Sequence, residues 1–519
     1  MTTQKPLNIF NTPTTSYWQF IWHVRANRIL LLAGLGTSVL LFCILKIFYP
    51  YPDFFGDSYS YIYAASQHLD INIWPIGYSK FLAAFHALTY SGTALVAFQY
   101  FSMQIAILHF LFTVLYFYNL QGWHRNALAI FLLINPLTLY LCNTVNSDAL
   151  FGFLSLLWIT ELIWTVQRPN LYRLFTHAIL LFLCFTVRNN AYYYPLVAAA
   201  AFLLSGQKVW RKAAGIALPF LFIIPFIFYS RDAAFKLTGT RQFSLFTGWQ
   251  LANNALYMYD QIDVDSADLP TAQARSLNRY AIQFFRRVKP ELYRDVLENA
   301  VGNFFIREPE APLKQYYGSH YTFTDEKSNI INWAHASEVF EPFGKTLILQ
   351  NPVAYMEYFV APNVKHYFIP PLSHVGLYNY GLNEIDPAAA SWFHYPNNKI
   401  RVSSHAFQGQ LLQLFIGLFL LLNVYYALNI LRFAFRGGFA AWRTPAVAIQ
   451  VLLLAFLVIN FGFSITSTVN ILRYQYIPMI ALAGFGLALG YSLESQQAKP
   501  KTRSRSYAER FGITEPNTF

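Results

Sequence analysis

Apolar runs close to twenty residues long recur along this chain, and a polypeptide carrying many of them does not fold as an ordinary soluble domain. A helix rises about 1.5 Å per residue, so about twenty apolar residues cover the roughly 30 Å of hydrocarbon in a bilayer. The runs predict spanning helices at 29–49, 93–118, 125–142, 148–166, 172–187, 191–206, 212–230, 409–431, 444–466 and 476–493. Composition agrees. Of 519 residues, 55% are hydrophobic, 18% aromatic and only 12% charged, whereas soluble domains carry about a quarter charged residues. The lipid bilayer is therefore the expected solvent.

A net charge of +12 would suit a nucleic-acid partner, but its placement argues against one. Ten crossings put both termini on one side, and that side receives seventeen of the 37 basic residues, in short loops and tails. The positive-inside rule makes this face cytoplasmic. The expected location is the cell inner (plasma) membrane, with a cytoplasmic N-terminus at 1–28 and a basic cytoplasmic tail at 494–519 set against anionic headgroups. The first apolar run is long enough to span and reads as a retained signal anchor. Segment 231–408 carries sixteen basic and seventeen acidic residues, so it offers no nucleic-acid surface. Its helix-like stretch near 272–305, its prolines and its aromatics predict a compact, mostly helical extracytoplasmic domain between the seventh and eighth spans. The expected fold class is thus an all-α polytopic membrane protein: spans one to seven in 29–230, then this domain, then spans eight to ten in 409–493.

The first outer loop, 50–92, is the most informative stretch. Pro50 and Pro52 end the first span, because proline lacks a donor and disfavours helix in the residue before it. Asp53 and Asp57 follow. Asp57-Ser58 can cap a helix to about Leu69, and Pro75-Ile76-Gly77 can open another to about Leu88, both amphipathic and rich in Tyr and Trp as interfacial segments are. As residue types alone, Asp57 serves as a cap and Asp53 meets water.

Gly56-Asp57-Ser58, Tyr61, Ala64, Pro75, Gly77, Tyr78 and Phe81-Leu82 together resemble the first external loop of the GT-C superfamily, membrane glycosyltransferases that use polyprenyl-phosphate sugars. The resemblance continues in Asn146-Ser147-Asp148 opening the fourth span, Arg188-Asn189-Asn190 breaking the fifth from the sixth, and Ile471-Leu472-Arg473-Tyr474 before the last. Protein O-mannosyltransferases and aminoarabinose lipid A transferases look similar over the first seven spans. The resemblance implies a polyprenyl-phosphate sugar donor, a lipid or glycan acceptor, and transfer of a monosaccharide on the outer face with inversion. It also implies Asp57 as the base, with Asp53 in reserve, since a carboxylate can take the acceptor proton while cations hold the leaving phosphate. Arg188, Arg473 and Lys80 are the candidate phosphate ligands, guanidinium being well matched to phosphate. Tyr61, Tyr78, Asn189 and Trp249 are the candidate substrate contacts. Many relatives have Asp-Glu where this chain has Asp57-Ser58, so a second carboxylate, and any divalent metal it would hold, is not carried over. No cofactor is indicated.

The same residues have plainer readings. Lys80 snorkels, Arg188 ends a helix, Arg473 pairs with an acid of the outer domain, and Asp148 caps a helix. The aromatics from Phe243 to Tyr259 are core rather than sugar platform. Asp260, Asp263, Asp265 and Asp268 lack the glycine and glutamate of a calcium loop, and the outer-domain histidines show no zinc spacing. Cys43, Cys142 and Cys184 make neither a disulfide framework nor a thiolate site. A transporter or flippase of lipid-linked saccharide would show repeated halves, and the sequence has none. An oligosaccharide polymerase or ligase would work without an acid in the first loop.

Overall fold

The computed structural model describes residues 15–288, 302–442, 444–467 and 469–497. Part of the helix-like stretch near 272–305 and most of the basic tail therefore lie outside the described residues, as does the chain before residue 15. Among the described residues the fold is helical, with isolated bridges in place of strands. Eight helices among the described residues are long and apolar enough to cross a membrane: Arg25–Phe48, Gly92–Tyr118, Gly122–Cys142, Ser147–Gln167, Val209–Thr238, Phe407–Phe435, Val447–Ser467 and Leu472–Ser495. This is an all-α, multi-pass membrane protein.

Two of the ten expected spans fall short of that length. Tyr172–Val187 has 16 residues and Tyr194–Leu204 has 11. At about 1.5 Å per residue the longer covers only about 24 Å. Arg188-Asn189-Asn190 is the cause: the backbone turns extended at Arg188, makes a 3-10 turn over Asn189–Tyr193 and restarts with Pro195 in the first helical turn. Prolines also divide two of the eight. Buried Asn135 accepts the amides of Leu137 and Thr138, so Pro136 starts a new helix within Gly122–Cys142, and Pro219 separates Val209–Ala217 from Phe220–Thr238.

Ser147–Gln167 and Leu472–Ser495 sit at the centre of the bundle and are almost wholly enclosed. Arg25–Phe48, Val209–Thr238 and Phe407–Phe435 lie at its rim with apolar side chains exposed, as lipid contact requires. Segment 231–408 divides in two. Residues from Ala234 to Tyr367 form a hydrophobic core largely their own, centred on the crossing of Thr247–Leu256 with Glu326–Gln350. At that crossing a Cβ on Gly248 would meet the Ser337 carbonyl oxygen at 1.9 Å, so only glycine permits the approach. Val375, Tyr378, Ile385, Phe393 and Ile400 instead join the core of the membrane bundle.

The loop after the first span holds the helices Gly56–Ser66 and Gly77–His86. Its start is pinned from two directions. The Asp53 amide donates to the Asn143 carbonyl at 2.8 Å, and the Val145 amide donates to the Asp53 carbonyl at 2.9 Å. From the outer segment, the Tyr378 hydroxyl donates to the carbonyls of Tyr51 and Pro52, each at 3.2 Å. These bonds bring the start of the Gly56–Ser66 helix beside the Asn146–Asp148 break.

Candidate functional site

Four breaks between helices meet at one end of the bundle and deliver four charges to one place. Asp57 comes from the first turn of Gly56–Ser66, Asp148 from the first turn of Ser147–Gln167, Arg188 from the end of Tyr172–Val187, and Arg473 from the 3-10 turn Leu472–Gln475. Asp57 is not the helix cap: Ser58 Oγ accepts the Phe55 amide at 2.8 Å, which leaves the aspartate side chain uncommitted. Asp148 is the hub. Its Oδ1 accepts a short hydrogen bond from Arg188, and its Oδ2 accepts from Arg473 at 2.9 Å. Arg473 therefore pairs with an acid of the bundle, not of segment 231–408.

The Arg473 guanidinium also lies 4.0 Å from Asp57 Oδ2, the Arg473 side chain being 3% exposed and that of Asp57 33%. That contact is charge pairing without a hydrogen bond, so the Asp57 oxygens stay open to a donor. Tyr474 stands against both arginines, its ring centroid 4.8 Å from the Arg188 guanidinium and 5.1 Å from that of Arg473. Arg473 Nε is buried and, among the described residues, has no hydrogen-bond partner. Nearby His374 is pushed down to about 3, by burial first and then by Arg307 and Arg473.

Asp57, Tyr61, Arg188, Asn189 and Tyr474 line a cavity of about 310 Å³. Its far wall comes from segment 231–408 through Thr247, Gln250 and Asn254, and its side from Thr466 and Ser467 at the end of a span. Tyr61 donates to Ser147 Oγ at 3.0 Å, and Arg188 reaches the same oxygen at 3.2 Å. Gly77 fixes the approach to Arg188: a Cβ there would stand 2.6 Å from the Thr186 carbonyl oxygen.

Four residues expected at the site lie elsewhere. Asp53 is buried away from this cavity, its Oδ1 accepting the Asn379 amide at 2.8 Å and its Oδ2 accepting Gln408 Nε2 at 3.3 Å. Burial pushes its carboxyl up to about 7, against those hydrogen bonds, so the expectation that it meets water fails too. Lys80 pairs with Asp70 at 2.6 Å, both side chains about half exposed, because it points off the loop toward solvent. Tyr78 is fully buried and donates to Gln99 at 2.9 Å; it supports Tyr61, whose ring centroid is 5.0 Å away. Trp249 is no sugar platform. It is buried against Trp333 at 3.9 Å, and its indole nitrogen donates to the Trp333 carbonyl at 3.1 Å.

Sequence reasoning did not find Asp148 as the bridge, nor Tyr474, Gln250 or Asn254 as cavity wall. The available signal was the run Arg473-Tyr474 at a helix break, where a polar side chain must have a partner. Among the described residues no group of three or more His, Cys, Asp or Glu is gathered to hold a metal. No family model, curated protein or solved structure matches the chain.

Proposed function

We propose that this is a glycosyltransferase of GT-C type, which moves a monosaccharide from a polyprenyl-phosphate donor to a lipid or glycan acceptor on the outer face of the inner membrane, with both termini in the cytoplasm. The observation that carries the reading is an open carboxylate, Asp57, that shares one cavity with Arg188 and has the buried Arg473 guanidinium 4.0 Å away. The donor phosphate binds Arg188 and Arg473, and in taking the Arg473 guanidinium it releases Asp57 from its 4.0 Å partner. Asp57 then accepts the proton of the acceptor hydroxyl. The acceptor oxygen bonds to the anomeric carbon from the face opposite the phosphate, the bond from that carbon to the phosphate oxygen breaks, and polyprenyl phosphate leaves with the electron pair. Configuration inverts. Asp148 holds both guanidiniums in place while the leaving charge develops.

The test uses purified protein in detergent, a panel of radiolabelled polyprenyl-phosphate hexoses and pentoses, and an envelope glycolipid extract as acceptor. Wild type is expected to release polyprenyl phosphate and label the extract. Absence of release across the panel defeats the transferase reading, and wild-type turnover in Asp57→Asn removes that residue from the role of base.

A further inference from the structure

A second cavity, of about 410 Å³, lies on the opposite side of the Gly56–Ser66 helix. Asp57 and Tyr61, one turn apart, face the first cavity. Tyr59, Tyr63 and Ser66 form the opposing stripe and face the second. Its other walls hold Glu326, at the start of the long outer-domain helix, with Asp386 and Trp392.

Trp392 is half-buried and stacked on His86, ring centroids 3.7 Å apart, with His86 Nε2 2.9 Å from the Trp392 carbonyl oxygen. The indole is thus held in one orientation without being enclosed. Asp386 commits Oδ1 to the Ala388 amide at 2.7 Å, which leaves Oδ2 for a ligand. Among the described residues no lysine or arginine lines this cavity. An aromatic wall suits the C–H face of a sugar ring, and carboxylates accept paired hydrogen bonds from its hydroxyl rim or from an amine. An anionic ligand would meet the carboxylates of Glu326 and Asp386, with only the imidazoles of His86 and His394 beside them.

We infer that this cavity is a binding subsite for an oligosaccharide that lacks acidic groups. In making that oligosaccharide part of the acceptor, the inference rests on the transferase reading; the binding site itself does not. A helix is about 10–12 Å across with its side chains, so a ligand seated here reaches Asp57 as a chain of several sugars, and not as a monosaccharide.

Saturation-transfer NMR on the full chain in detergent tests this, with cellotetraose, mannotetraose and chitotetraose as probes and tetragalacturonate as the acidic control. At least one of the first three is expected to receive saturation, falling fivefold or more in Trp392→Ala and in Glu326→Gln and persisting in Asp57→Asn. No transfer to any of the three, undiminished transfer in Glu326→Gln, or equal transfer to tetragalacturonate overturns the inference. The same preparations are assayed for polyprenyl phosphate release, which separates the two ideas. Binding without release keeps the subsite and defeats the transferase, whereas release without binding does the reverse.

Discussion

Asp53 and Asp57 lie four positions apart in one loop, and the structure gives them opposite circumstances. Asp53 is enclosed, satisfied by an amide and a glutamine, and ties Asn379 and Gln408 to the end of the first span. Asp57 is part-exposed at a cavity, faces a guanidinium at 4.0 Å and, among the described residues, accepts no hydrogen bond. A carboxylate whose lone pairs are already used holds structure together. One that is charged, reachable and uncommitted is free to take a proton. Sequence proximity says nothing about which is which, because the difference is made by Asn379 and Gln408 on one side and Arg473 on the other.

Several substitutions put this contrast at risk. The largest expected effect is on turnover: Asp57→Asn should lower polyprenyl phosphate release by about a hundredfold or more, general-base loss being worth about 10²–10⁴, while Asp53→Asn stays within about fivefold. Equal losses would erase the distinction. Next, Arg188→Ala should raise the donor Kd by about ten- to a hundredfold, since hydrogen bonds to charged groups contribute about 1.5–3 kcal/mol. Titration with labelled donor checks it, and Asp148 keeps Arg473 as a partner in that variant.

A third test reads stability against pH. Folded Asp53, with its carboxyl raised to about 7, keeps a proton that the unfolded chain loses above 3.8. The folded state therefore loses stability as pH rises from 3.8 toward 7 and levels off above. Thermal unfolding in detergent should show that slope in wild type and a shallower one in Asp53→Asn. The smallest effect is expected for Lys80→Ala, whose exposed partner Asp70 makes the pair worth less than about 1 kcal/mol. Donor affinity there should be unchanged, and a tenfold loss would return Lys80 to the phosphate site.

How much was legible in the sequence follows from the range of the interactions involved. Apolar length is a local property, so most spanning stretches and the two loop helices could be read within a few residues, although the helix expected to end at 230 runs on to Thr238. The short pair Tyr172–Val187 and Tyr194–Leu204 was read as two spans with the break correctly at Arg188, but apolar length did not show that the second loses its first residues to the 3-10 turn Asn189–Tyr193. The break before Pro136 was missed for a similar reason, since Asn135 caps the new helix inside an apolar run. Asp148 looked like a cap because Asn146-Ser147 precedes it, and its actual partners lie 40 and 325 positions away. Trp249 could not be sorted by type: an indole that lines a groove and one sealed against Trp333 have the same letter.

The pairing of Asp148 with Arg473 has a consequence for how the protein is made. A chain emerging from the ribosome meets Arg188 soon after Asp148, but the second guanidinium is translated 325 residues later, just ahead of the final hydrophobic segment. Until that segment enters the bilayer, the charge cluster is short of one cation. A polypeptide stalled or clipped before Arg473 would remain in the membrane with Arg188 as the one guanidinium of the pair beside Asp148.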